Sequence, residues 1–332
     1  MTVSGTANGN DGATVKVALG ASVQAQTTTI SSGTWTIADV TKPSVGTAVT
    51  VWVDSVADNL ESTAVTLYNS SPVSDLVLNT NVLTLGSNQD QSLSLTNLNS
   101  YDCSEDEDIM HQAASSHHKV EGDACAGSTT NSYSSEKLAV LSGDTLALAT
   151  SETITTHDLE NAGTITVTGN GTLNVSHDWA NTGTFTAGTS TVNLTGGDST
   201  TQTISGNTSF YNLTASTTSN SAGRTIRYTA GTTTTVSGTW TATGTNTKIL
   251  TLESSTASTW IITPTAASVS YVSVSYSKNH GVDFCATNTT DGGNNTRWRT
   301  TCEPSAQSFQ RKTFYDDQNS RYWRFNTDGT DI

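Results

Sequence analysis

Apolar and polar residues alternate in short runs along most of this chain, and the runs fall into four segments. In the first, Val3, Val15, Val17 and Leu19 alternate with polar neighbours and Asn10-Asp11-Gly12 marks a turn. Gly33-Thr34-Trp35-Thr36-Ile37 and Val49-Thr50-Val51-Trp52-Val53 repeat the same two-residue period. Such alternation, broken by turn residues about every ten positions, predicts a sandwich of short antiparallel strands over residues 1–68. Residues 69–150 read as a transitional, capping segment. Leu76-Val77-Leu78, Val82-Leu83-Thr84-Leu85, Leu93-Ser94-Leu95 and Leu138-Ala139-Val140-Leu141 are its strands, and Asp108 to Ala114 is its one expected short helix.

Residues 151–302 carry an internal repeat. His157-Asp158-Leu159-Glu160-Asn161-Ala162-Gly163-Thr164-Ile165-Thr166 returns twenty positions later as His177-Asp178-Trp179-Ala180-Asn181-Thr182-Gly183-Thr184-Phe185-Thr186. A period near twenty, made of short strands and Asn-Gly-type corners, predicts the rungs of a parallel β-solenoid. Ile154, Leu159, Ile165, Val167, Leu173, Val175 and Trp179 would face its axis, with Phe185, Val192, Leu194, Ile204, Phe210 and Leu213 continuing the wall. About seven rungs spaced ~4.8 Å apart would stack to ~34 Å. Residues 303–332 hold Lys312-Thr313-Phe314-Tyr315 and Arg321-Tyr322-Trp323-Arg324-Phe325 around a five-residue loop, which predicts a trailing hairpin or the start of a further module. The fold class expected is therefore all-β: an N-terminal sandwich, a parallel solenoid and a C-terminal hairpin.

Two resemblances extend this reading. The alternation over residues 1–68 is similar to bacterial immunoglobulin-like modules of surface proteins, which implies a spacer or connector. Asn181-Thr182-Gly183-Thr184-Phe185-Thr186-Ala187-Gly188-Thr189-Ser190-Thr191-Val192 and Ser209-Phe210-Tyr211-Asn212-Leu213 resemble parallel β-helix surface proteins of the filamentous-haemagglutinin type. That resemblance implies a right-handed β-helix on a bacterial cell surface. Only the first two copies of the repeat are crisp; later ones drift.

Composition narrows the function. Hydrophobic residues make up 33% and charged residues 13%, with Thr, Ser, Asn and Gly filling the difference, which suits ladders with a polar outer face. With 29 acidic against 14 basic residues the net charge is −15, which argues against nucleic acid and anionic membranes as partners. All seven arginines lie at or beyond Arg224, whereas the densest acidic run is Glu105-Asp106-Glu107-Asp108. No membrane span is expected, and the opening residues read as strand rather than leader, so the chain is expected to be a piece of a larger surface protein.

Cys103 and Cys125, and Cys285 and Cys302, form two close pairs, for which local bridging is the simplest of three connectivities. An even count without CxxC spacing fits an extracellular, oxidising setting. Asp102, Glu105, Asp106 and Asp108 form the densest ligand cluster, for which Ca2+ would be the natural counter-ion; the run lacks the glycine and closing glutamate of a Ca2+-binding helix-loop-helix. His117, His118 and Glu121 have no recognised zinc spacing. The repeat places His157 over His177, Asp158 over Asp178 and Asn161 over Asn181. Two stacked imidazoles could supply half a metal site, but a consecutive His and Asp in a strand point to opposite faces, so these are read as structural repeat positions.

No cofactor and no catalytic residue is expected. Asp178 and Asp198 are the only carboxylates between 161 and 223, with no Lys or Arg among them. Trp179, Trp240 and Trp260 are read as core stacking before a glycan groove. The expected function is that of a structural subunit of an extracellular fibre or stalk, a head-to-tail homopolymer joined through strand edges. Leu76 to Leu85 and the hairpin residues Phe314, Trp323 and Phe325 are the candidates for strand exchange. The alternatives are an adhesin arm that binds glycans or other surface proteins and, less favoured, a polysaccharide-active β-helix enzyme.

Overall fold

A computed structural model describes residues 1–57, 60–114, 116–120, 125 and 136–299, with the backbone of two further strands, Phe314–Asp316 and Arg321–Trp323. The molecule is all-β, 53% strand against 2% helix, and long parallel sheets form its body.

The N-terminal part is a two-sheet sandwich. One sheet has the order Thr34–Ile37, Val3–Asn8, Val73–Asn79; the other runs from Ser22–Val23 through Thr14–Leu19 and Ala48–Asp54 to Ser62–Leu67. Val15, Val17, Val49, Val51 and Val53 from the second sheet meet Trp35, Ile37, Val73, Leu76 and Leu78 in its core. The strand Val73–Asn79 comes from beyond position 68.

Ser62–Leu67 is buried at all six positions because its two faces serve two cores. Ala64 packs into the sandwich, while Val65 and Leu67 point the other way into the solenoid. Its second edge pairs in parallel with Val82–Leu85, and Val82–Leu85 pairs with Lys137–Val140. The sandwich sheet and one wall of the solenoid are consequently a single sheet of 14 strands.

Each solenoid turn contributes strands to three faces. Lys137–Val140, Asp158–Asn161 and Trp179–Asn181 stack on the first face. Thr145–Leu148, Thr164–Val167 and Thr184–Thr186 stack on the second. Thr153–Thr156, Thr172–Val175 and Thr191–Leu194 stack on the third. The alternation fixes the register, since a one-residue slip would turn the aliphatic wall outward. Leu83, Leu138, Leu159, Trp179, Ile204 and Tyr228 form one continuous inner column. The twin decapeptides lie one directly over the other, as the repeat predicts.

Later rungs lengthen, which explains why the repeat fades in the sequence. Leu138 to Leu159 advances 21 residues and Leu159 to Trp179 20, but Trp179 to Ile204 takes 25 and Ile204 to Tyr228 takes 24. A longer perimeter encloses a wider bore, and close packing requires it to be filled. Aromatic rings fill it: Tyr228 stacks on Trp260 at 3.8 Å, and Trp240 meets Phe284 and Trp298 edge-on at 5.8 Å. Here the second and third faces merge into single strands of 11 residues, Thr233–Thr243 and Trp260–Ser270. The three tryptophans weighed as a glycan groove, Trp179, Trp240 and Trp260, are core residues at 0–1% exposure.

The insert departs from expectation. His111–Ala114 is a strand, antiparallel to His117–Val120, and not part of a helix. The third face offers an unpaired ladder at its first strand, and pairing with it satisfies backbone groups that a short isolated helix would leave open. The strand read at Leu93-Ser94-Leu95 is present as Ser92–Ser94, and the one helix among the described residues, Leu95–Leu98, begins at the last residue of that run. A reciprocal cap starts it: Ser94 Oγ accepts from the Asn97 N–H at 3.3 Å, and Asn97 Oδ1 accepts from the Ser94 N–H at 2.8 Å.

Cys103 is bonded to Cys125, with Cα atoms 5.6 Å apart. The bridge holds Tyr101 and Ile109 against Trp52 and Ala18 on the outer side of the sandwich sheet. Cys285 is disulfide-bonded as well. Cys302, Glu121 and Phe325 lie outside the described residues. The expected C-terminal hairpin is present as an antiparallel pair, Phe314 opposite Trp323. Among the described residues no helix is long and apolar enough to cross a membrane.

Candidate functional site

The repeated His-Asp pairs sit at a tight corner between the third and first faces of the solenoid. His157 is the single residue between the strands Thr153–Thr156 and Asp158–Asn161, and His177 occupies the same corner one rung on. The backbone is fixed there by the His177 N–H donating to the His157 carbonyl at 2.8 Å. The imidazoles stack, centroids 4.7 Å apart and 16° from parallel.

The expected divergence of His and Asp does not occur, because a corner residue escapes strand alternation. Asp158 lies with its carboxylate against both rings: Oδ1 is 2.7 Å from His177 Nδ1, and Oδ2 is 3.3 Å from His157 Nδ1. Asp158 Oδ1 also accepts the Asp178 N–H at 2.7 Å. Burial pushes the Asp158 carboxyl up, but the two neighbouring imidazoles, His157 and His177, and the hydrogen bond from the Asp178 N–H together outweigh it and hold the group below the ordinary carboxylate range. Asp178 repeats the capping role one rung higher, accepting the Thr203 N–H at 2.7 Å. Asn161 and Asn181 point inward from the same strands and are buried.

Among the described residues, three groups of side chains have donor atoms close enough together to hold a metal: His157, Asp158 and His177; Asp102, Cys103 and Cys125; and Asp54, Asp106 and Asp108. The second has no free thiolate, since both sulfurs are in the disulfide. In the third, Lys16 pairs with Asp54 and stands 4.0 Å from Asp106, so a cation is already in place.

The four acidic residues singled out for Ca2+ do not form one group. Asp102 accepts from the Ser104 N–H and Oγ and the Ala113 N–H, and Glu105 accepts the Asp102 N–H. Asp108 accepts the Ser55 N–H at 2.8 Å and ties the insert to the sandwich, while Asp106 faces Lys16. These carboxylates act as local turn and docking acceptors. Of these three groups, the His-Asp-His corner alone combines nitrogen donors, a carboxylate and partial solvent access.

Leu76 lies in Val73–Asn79, paired on one side with Val3–Asn8 and forming an edge of its sheet. Leu85 lies in a strand paired on both sides.

Sequence reasoning missed Arg224, although it is the first arginine of the chain. It is buried at 3% exposure and has no carboxylate partner among the described residues. Its guanidinium donates to Gln202 Oε1 at 2.8 Å and to the carbonyls of Leu194 and Ser216, closing the corner at which the rungs widen. Burial lowers its pKa to about 10.

No family model matches the chain, and neither a curated protein nor a solved structure does.

Proposed function

We propose that this chain is a structural subunit of an extracellular surface fibre or stalk, assembled from copies of itself through strand edges. The observation that carries this reading is the single 14-strand sheet shared by sandwich and solenoid, which makes the molecule one stiff body. On that sheet the solenoid's N-terminal end is covered, because Ser62–Leu67 pairs with its first strand. Among the described residues, the edge strands include Thr34–Ile37 and Val73–Asn79 of the sandwich and, at the other end of the long sheet, Thr290–Asp291. An edge at one end and a different edge at the other suit head-to-tail addition of strands. The disulfides support an oxidising, extracellular location.

Light scattering and negative-stain electron microscopy over a wide concentration range test the proposal. Linear oligomers are expected, and Thr36→Lys or Val77→Lys, which put charge on an edge strand beside its core-facing residues, should shorten them. A monomer at every concentration overturns it.

A second reading, an adhesin arm that binds glycans or other surface proteins, is favoured by one observation. On the third face Asn193 donates to Asn174 at 2.9 Å and Asn174 to Thr155 at 3.3 Å, an outward ladder of amides and hydroxyls at rung spacing. Binding on a glycan array, lost on Asn174→Asp, would favour the arm over the fibre subunit.

A further inference from the structure

We propose that His157, Asp158 and His177 form a binding site for a divalent transition metal of the zinc class, built across two rungs of the solenoid. Two imidazoles and one carboxylate are the donor set that borderline cations such as Zn2+ prefer over Ca2+ or Mg2+, which take all-oxygen shells. The three donors lie within 4.8 Å of one another, and Asp158 is 2.7 and 3.3 Å from the two nitrogens. Around a tetrahedral ion with bonds of ~2.0–2.1 Å, donor atoms stand about 3.3 Å apart, so modest rotation of the two rings completes the shell.

A second observation points the same way. His157 Nδ1 is buried and makes no hydrogen bond, although a carboxylate stands beside it. One carboxylate hydrogen-bonded to His177 and to the Asp178 N–H satisfies those two donors and leaves the first ring's nitrogen over. An ion between the rings would engage that nitrogen together with His177 Nδ1 and Asp158. The corner is open enough for entry, the side chains being 14%, 17% and 38% exposed for His157, Asp158 and His177. Water would take the remaining position, with the Asp178 carboxylate 3.7 Å from His177 Nδ1 on the outer side.

The stacking itself supplies the preorganisation. The ladder fixes the two backbones at rung spacing, and Asp158 is held by the Asp178 N–H, so little freedom is lost when the ion arrives. The site needs two consecutive rungs bearing the same pair, and the repeat places the pair on two consecutive rungs.

Isothermal titration of the full chain with ZnCl2 at neutral pH, and the visible spectrum of the Co2+ form, test the site. One equivalent is expected to bind, with a raised melting temperature and the intense d–d bands of low-coordinate cobalt. Asp158→Asn, His157→Gln and His177→Gln should each weaken binding about tenfold or more. His117→Gln, whose ring meets Thr155 on the exposed side of the third face, should leave it unchanged. Far-ultraviolet circular dichroism confirms that each variant is folded, and His177→Gln, the most exposed of the three, keeps the test valid if His157→Gln is not. Absence of binding at millimolar Zn2+, or binding that survives the triad substitutions or is lost with His117→Gln, overturns the proposal. None of these outcomes depends on whether the chain polymerises.

Discussion

The Asn161 side-chain amide donates to the side-chain oxygen of Asn181 one rung above, 2.8 Å away in the interior of the solenoid. Asn161 Nδ2 also reaches the Thr184 carbonyl at 2.9 Å, and Asn181 Nδ2 reaches Thr208 Oγ1 at 3.1 Å. Two amides in an aliphatic wall are tolerated because Asn161 donates to Asn181 and both donate onward to the next segments, tying down the chain at the corner. Asn181→Ala should cost about 1–3 kcal/mol by leaving buried partners unsatisfied. The double change to leucine at 161 and 181 should cost less than the sum of the single changes, by about 1 kcal/mol. Urea unfolding of the four proteins measures the coupling; strict additivity would show that the two amides act independently.

Gly183 lies one rung above Gly163, and a Cβ there would collide with the Gly163 carbonyl and come within 2.7 Å of the Ala162 carbonyl carbon. Gly183→Ala should therefore destabilise by roughly 1–3 kcal/mol, with strain spreading to both neighbouring rungs. Gly197 provides the contrast, since its nearest neighbour would be a methyl of Thr200 at 3.9 Å. Gly197→Ala should be neutral or stabilising by up to about 1 kcal/mol. Thermal melts of the two variants should shift in opposite senses or by clearly unequal amounts.

Stability should fall in mild acid because of His111. The ring is fully buried and its Nε2 contacts the Leu98 carbonyl at 3.1 Å; burial lowers its pKa to about 4. The unfolded chain takes up a proton near the ordinary histidine value of 6.5 while the folded one stays neutral. The stabilisation is complete above that pH and is lost as the pH falls from 6.5 towards 4, on the order of 3 kcal/mol in total. Asp144 works in the opposite direction over a lower window, its carboxyl pushed up to about 6 by burial, so folding gains as the pH falls from 6 towards 3.8. The difference between the parent and His111→Gln isolates the histidine: the variant should lose stability less steeply between pH 6.5 and 4. Equal slopes in urea titrations would rule the histidine out as the cause.

Reducing the Cys103–Cys125 bond, or replacing both residues with serine, should release Tyr101 and Ile109 from Trp52. A bridge of this span is worth roughly 3 kcal/mol. The effect should be confined to the capped end, because rungs contact only their neighbours. Hydrogen exchange should speed up in Ala48–Asp54 and the insert while the strands Trp179–Asn181 and Thr191–Leu194 stay protected.

The solenoid was legible because its inner residues recur at a fixed spacing, and the columns from Leu159 to Ile204 and from Leu173 to Leu213 are the residues the alternation selected. Its continuation past Ile204 was less so, since the added residues per turn break the period while preserving the inward pattern. The shared sheet could not be read, because TAVTL at 63–67 looks the same whether one face or two are buried. The misassigned helix at 108–114 has the same origin: pairing partners distant in sequence leave no local trace. At the His-Asp corner the residues were visible, but their convergence depended on His157 being a corner rather than a strand residue, which only three-dimensional placement reveals.

Ser62–Leu67 belongs to two interiors at once, so neither the sandwich nor the solenoid can let go of it alone. A pull on one end of this molecule meets no slack joint at which the halves might swivel. Tension passes from the N-terminal residues straight into the first coil, and deleting the chain through Leu67 would strip the lid from that coil rather than trim an appendage.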